Sequence, residues 1–213
     1  MTETSRPEPT SVARTFRARP IAVAALGFSL IGALIGGLWA WIAPPIHVAV
    51  AITRAGERVH EYLGTESGHF FNAPCLMLGL LTVVSVIAPV LAWQRRERRG
   101  PAMVVGLSVG MMVVAAAASA VGALSVLLRY GAVNFDAVPL VGKPAVAYVV
   151  QAPPVFFGPG PLHAVLTLLW PAGVAALVYA VLAAGNARDD LGNVPAADQP
   201  SGALPMEPEA SVS

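Results

Sequence analysis

Four long runs of apolar residues, at 21–43, 70–93, 101–128 and 161–184, are separated by short polar or basic stretches. Each exceeds the roughly 20 residues that carry a helix across a hydrocarbon core of about 30 Å at 1.5 Å per residue. The pattern predicts a membrane α-helical protein, a bundle of four transmembrane helices. The first run is too long for the apolar stretch of a cleaved signal peptide, usually about 7–15 residues, and Trp41 and Pro44 spoil a small-residue cleavage pattern near Ala43, so it is read as a retained helix. The third run opens on Pro101, which suits a first helical position because the missing N–H has no partner there. Pro89 and Pro171 lie inside the second and fourth runs, where each is expected to bend its helix. Residues 1–20 and 186–213, rich in Pro, Ser and charge, offer no apolar face and read as disordered tails on a 21–185 membrane domain.

The two longer connections, 44–69 and 129–160, carry a different period. Ile46, Val48, Val50 and Ile52 alternate with smaller or polar residues, as one face of a strand does. Arg54 to Glu57 supply a turn into a second strand at 58–63. A helical reading competes, with Val48, Ile52, Val59 and Tyr62 on one face, but Gly56 weakens a helix interior and the hairpin is preferred. The second connection holds Gly131 to Asp136, a turn-rich 138–144 and a β-prone 145–151. Both re-enter the apolar phase through paired aromatics and proline, at Phe70-Phe71-Asn72-Ala73-Pro74 and at Phe156-Phe157-Gly158-Pro159-Gly160-Pro161. The plan resembles helix–hairpin–helix written twice, and two hairpin-like loops together are expected to form a small sheet, since one hairpin alone is marginal in water.

Composition sharpens this picture. The chain is 56% hydrophobic and 12% charged, against about 25% charged in soluble domains. A net charge of +1 gives no footing for nucleic acid. Nine of the Lys and Arg residues lie in the tails and the second connection (Arg6, Arg14, Arg17, Arg19, Arg95, Arg96, Arg98, Arg99 and Arg188), and four lie in the long loops (Arg54, Arg58, Arg129 and Lys143). The positive-inside rule then predicts a multi-pass plasma membrane protein with both termini cytoplasmic and both long loops outward. Trp39, Trp41, Phe70, Phe71, Tyr130, Phe156 and Phe157 fall near the outer interface, as an aromatic belt does. The lone Cys75 sits in an apolar run and has no disulfide partner within the chain.

Candidate chemistry is sparse. Gly32 with Gly36, and Gly106 with Gly110, are small-xxx-small pairs that let helix backbones approach closely, within one chain or between copies in a homo-oligomer. All four histidines fall on the predicted outer side; His60 with Glu61, and His69 with Glu66, carry ligand types that suit a divalent cation, although their spacing matches no short metal motif. A carboxylate beside a histidine also suits general acid–base work, but no activated nucleophile or oxyanion site accompanies it. No cofactor is expected. The interiors of the four runs hold no Asp, Glu, Lys, Arg or His, which argues against a proton- or ion-coupled pump. Their polar side chains, among them Ser29, Thr82, Ser85, Ser108, Ser119, Ser125 and Thr167, are of the kind that bonds its own helix backbone. Arg54 and Arg58, with Tyr62 and Tyr148, are the candidate docking residues of the outward loops.

The segments Gly36-Gly37-Leu38-Trp39-Ala40-Trp41-Ile42-Ala43-Pro44-Pro45 and Gly56-Glu57-Arg58-Val59-His60-Glu61-Tyr62-Leu63-Gly64 resemble an uncharacterised family of actinobacterial, especially mycobacterial, membrane proteins. Arg129-Tyr130-Gly131 and Ala152-Pro153-Pro154-Val155-Phe156-Phe157-Gly158 carry the resemblance further, over about residues 21–192. It implies a plasma membrane location and brings no activity or functional residue. Three functions therefore stand as expectations: an accessory protein whose loops dock an envelope or secretion component, an oligomeric channel or small-molecule exporter, and an outward-facing metal-dependent enzyme or sensor. In each case the surrounding partner is the lipid bilayer.

Overall fold

The computed structural model describes residues 11–95, 100–140 and 145–185, with side chains from Ala22 onward. The chain runs α1 (Ser11–Ile42), β1 (Ile46–Ile52), β2 (Arg58–Tyr62), α2 (His69–Trp93), α3 (Pro101–Tyr130), β3 (Val146–Gln151) and α4 (Pro161–Ala184). All four helices contain stretches long and apolar enough to cross a membrane. α1 begins at Ser11, well ahead of the boundary expected at residue 21. The extension runs through Pro20, which lacks a backbone donor and ordinarily starts or kinks a helix. What remains of the two expected disordered tails, 1–10 and 186–213, lies outside the described residues.

α1 packs chiefly on α3, α3 on α4 and α4 on α2, while α1 and α2 meet only sparsely, so the bundle is open along one side. Trp39, Met77, Leu81, Met111 and Val114 fill its centre with Ala115 and Ala118 between them. The Trp39 ring is wholly buried, and its Nε1 donates to the Ala73 carbonyl of α2 at 2.7 Å, one of the few ties across the open side. α2 runs through Pro74 and Pro89, and α4 through Pro171, with all three rings buried. Leu26, Leu34, Val83, Leu128, Leu166 and Leu177 stand exposed on the helix exteriors. In water such a surface would drive aggregation; against lipid tails it is the ordinary exterior of a membrane bundle.

The strands form one antiparallel sheet in the order β2-β1-β3. β1 pairs with β2 (Val48 opposite Tyr62, Val50 opposite His60) and with β3 (Val48 opposite Val149, Ala49 opposite Tyr148). The hairpin turn closes with Thr53 N–H on the Glu57 carbonyl at 2.9 Å, and Gly56 adopts φ 83°, which favours glycine over residues with a side chain. The second loop departs from the expected hairpin by supplying one strand rather than two. Phe135–Ala137 form a single 3-10 turn, capped by Asn134, whose side-chain oxygen accepts from Asp136 N–H at 3.1 Å. Phe135 and Leu140 then pack on the sheet instead of extending it. Among the described residues, three strands joined across two loops thus stand where four were expected.

Candidate functional site

Paired residues in a sheet share a face, which divides this one cleanly. Ile46, Val48 and Val50 of β1 are fully buried, covered by Phe70 from the first turn of α2 and by Phe135 and Leu140 from the second loop. The opposite face carries His47, Ala49 and Ala51 of β1, Val59 and Glu61 of β2, and Val146, Tyr148 and Val150 of β3. None of these residues is buried, and Tyr148 is 73% exposed. Five of the eight are Ala or Val, so the open face is apolar with a single large aromatic ring upon it.

The four candidate docking residues are distributed unevenly over this plan. Tyr148 stands on the open face, and Arg54 is exposed in the hairpin turn. Tyr62 turns to the covered side, where its ring meets Phe70 edge-on at 5.1 Å. Arg58 reaches the second loop, its Nη1 donating to the carbonyls of Val138 at 2.9 Å and Phe135 at 3.2 Å. Those two side chains hold the sheet to its cover.

The four candidate metal ligands do not share one set of contacts. His60 stacks on Phe135 with ring centroids 4.8 Å apart and planes 5° from parallel. His69 Nδ1 donates to the Pro45 carbonyl at 2.9 Å, and Glu61 lies on the open face. Glu66 instead meets His47: its carboxylate accepts from the His47 backbone N–H and lies 2.8 Å from His47 Nδ1. Among the described residues no three His, Cys, Asp or Glu side chains gather as a metal cluster. The His47–Glu66 pair was not legible as a constellation, because the hairpin between them brings together residues that are distant in sequence. It pins the 3-10 turn Glu66–Gly68, from which α2 starts, to the first residues of β1.

Within the spans, small residues set the helix contacts. A Cβ on Gly32 would stand 2.4 Å from the Val114 carbonyl oxygen, and one on Gly36 would stand 2.4 Å from that of Ala118. Gly110 faces the Phe28 ring, where a Cβ would lie 2.6 Å from two ring carbons. Gly106 faces open space, and Gly122, not singled out in the sequence, receives the edge of Trp39. Thr82, Ser85 and Thr167 each donate to the carbonyl four residues back. Thr167 and Ser119 are buried within the protomer's own core.

On the open side of the bundle, α1 and α2 flank a groove of about 710 Å³. Ile42 and the following Pro44 form one wall; Phe71, Asn72, Cys75 and Gly79 of α2 are among the residues forming the other.

Residues 28–193 match the model of a family described as "Protein of unknown function (DUF2567)". The chain is 64% identical to an uncharacterised protein, ML1222, of Mycobacterium leprae over 192 residues, which cover 90% of this chain and 97% of that one. It is 65% identical to the uncharacterised protein Rv1591 of Mycobacterium tuberculosis over 179 residues, covering 84% and 93% respectively. No solved structure matches the chain.

Proposed function

We propose that this chain, which belongs to the DUF2567 family of unknown function, is a non-enzymatic accessory protein of the plasma membrane, with outward loops that dock an envelope or secretion component. One observation carries the reading: the sheet has one covered face and one that no described residue covers, and the latter is largely apolar and carries a Tyr148 ring that is 73% exposed. Exposed apolar patches with a polar rim mark interaction sites, and aromatic anchors dominate their energetics. His47 and Glu61 supply such a rim here. The four spans act as the scaffold, with Thr82, Ser85 and Thr167 each bonded to its own helix backbone.

The channel reading draws less support, because Ser119 and Thr167, which it needs along a shared pore, are turned into one protomer's core. The metal-dependent reading draws less still, since His60 and His69 are separately engaged. The test is photocrosslinking in intact cells from a benzophenone amino acid placed at Tyr148. One reproducible envelope protein, captured at Tyr148 and not from Leu128 on the lipid-facing surface, is the expected outcome. Capture of the same abundant bystanders from both positions would overturn the proposal.

A further inference from the structure

Two observations meet on the first turns of α2. The first is shape. The groove between α1 and α2 lies on the side where these helices barely touch. Gly79 gives it depth: a Cβ built there would meet nothing within 4 Å, so the space beside it is unfilled by protein. Ile42, Phe71 and Leu76 make its walls apolar.

The second is a polar group. Asn72 lines the same groove, is exposed, and makes no side-chain hydrogen bond to any described residue. A carboxamide offers two donors and an acceptor, and leaving them unmet at the edge of a hydrocarbon phase is costly. Asn72 sits one turn into α2, and Gly79 lies about 10 Å deeper along the helix axis at 1.5 Å per residue.

An amphiphile satisfies both at once, with an apolar chain lying along the groove past Gly79 and a hydrogen-bonding linkage at the mouth beside Asn72. Water would meet Asn72 but not the apolar walls, and an alkane would do the reverse. We infer that this groove is a binding site for one acyl chain of a bilayer phospholipid, held with its ester carbonyl against the Asn72 carboxamide. The site stands apart from the docking face and depends on none of its residues.

The test is native mass spectrometry of the full chain in mild detergent, titrated with phosphatidylethanolamine. The wild type should retain one lipid per protomer. Gly79→Leu, whose Cβ would meet nothing within 4 Å, should raise the apparent lipid dissociation constant about tenfold, as the loss of roughly 1.4 kcal/mol of binding does. Asn72→Leu should weaken retention and Asn72→Gln should restore it, while Gly106→Leu, also in open space but away from the groove, should leave it unchanged. If Gly79→Leu does not fold, Leu76→Trp closes the same groove from its wall. Equal lipid retention by the wild type and the groove-filled protein would overturn the inference, leaving annular lipid only. So would a wild-type dimer that the filled groove dissolves, since the occupant would then be a second copy of the chain.

Discussion

At Gly36 the absence of a methyl group decides how closely α1 approaches α3. A Cβ there would stand 2.4 Å from the Ala118 carbonyl oxygen and 2.9 Å from the Gly122 nitrogen, both backbone atoms that cannot step aside without moving a helix. Alanine would raise helix propensity by about 1 kcal/mol, yet overpacking a tight contact costs about 1–3 kcal/mol, and against rigid backbone the second effect wins. Gly36→Ala should therefore lower the thermal unfolding midpoint in detergent, whereas Gly106→Ala, facing open space, should leave it unchanged or raise it slightly. Equal effects at the two sites would remove the close-packing argument. Trp39 poses a related test. Trp39→Phe keeps most of the buried ring and deletes the 2.7 Å bond to the Ala73 carbonyl, for an expected loss of about 1–2 kcal/mol, read in the same thermal scans. Because a Cβ on Gly122 would press on the Trp39 ring at 2.9 Å, Gly122→Ala combined with Trp39→Phe should be non-additive, as substitutions in contact are.

Among the elements, β1 is the one on which the others depend: it is central in the sheet, leads directly from α1, and is tied to the start of α2 through His47 and Glu66. Its alternation of Ile46, Val48 and Val50 was legible in the sequence because period two is a local property, and so were β2 and the β-prone character of β3. The four spans were legible for the same reason, since length and apolarity are properties of one segment at a time. The role of residues 131–140 was not. Whether Phe135 continues a strand or folds over one is decided by what lies opposite, here His60 and the β1 valines, and nothing nearby in sequence encodes that choice. Pairings across a hairpin, such as His47 with Glu66, escaped for the same reason. Arg58 gives the element-scale prediction. Its two bonds to the Phe135 and Val138 carbonyls fasten the cover to the sheet, so Arg58→Ala should speed amide hydrogen exchange across residues 135–140 while leaving α1 to α4 protected. Unchanged exchange in that segment would show that Phe135 and Leu140 hold the cover unaided.

For the molecule as a whole, the Lys and Arg distribution bears on direction, and the aromatic residues mark where the sheet end meets the membrane interface. Lys and Arg are concentrated in the tails and the α2–α3 connection rather than in the long loops, and the inner membrane surface attracts that charge. The aromatic residues of both loop re-entry segments gather at the sheet end, with Phe71 and Phe157 in contact at 5.5 Å between ring centroids. The proposed orientation, which the charge asymmetry supports, puts the sheet outside, where the open Tyr148 face would meet the proposed envelope partner. Single-cysteine labelling decides the matter, and the chain is well suited to it because Cys75 is its only cysteine. In a Cys75→Ser background, Tyr148→Cys should react with a membrane-impermeant maleimide on intact cells. Gln94→Cys, exposed at the end of α2 remote from the sheet, should react only after the membrane is permeabilised. The reverse pattern would turn the molecule over and remove the docking proposal, while the acyl-chain groove, which depends on lipid and not on leaflet, would simply belong to the inner half of the bilayer.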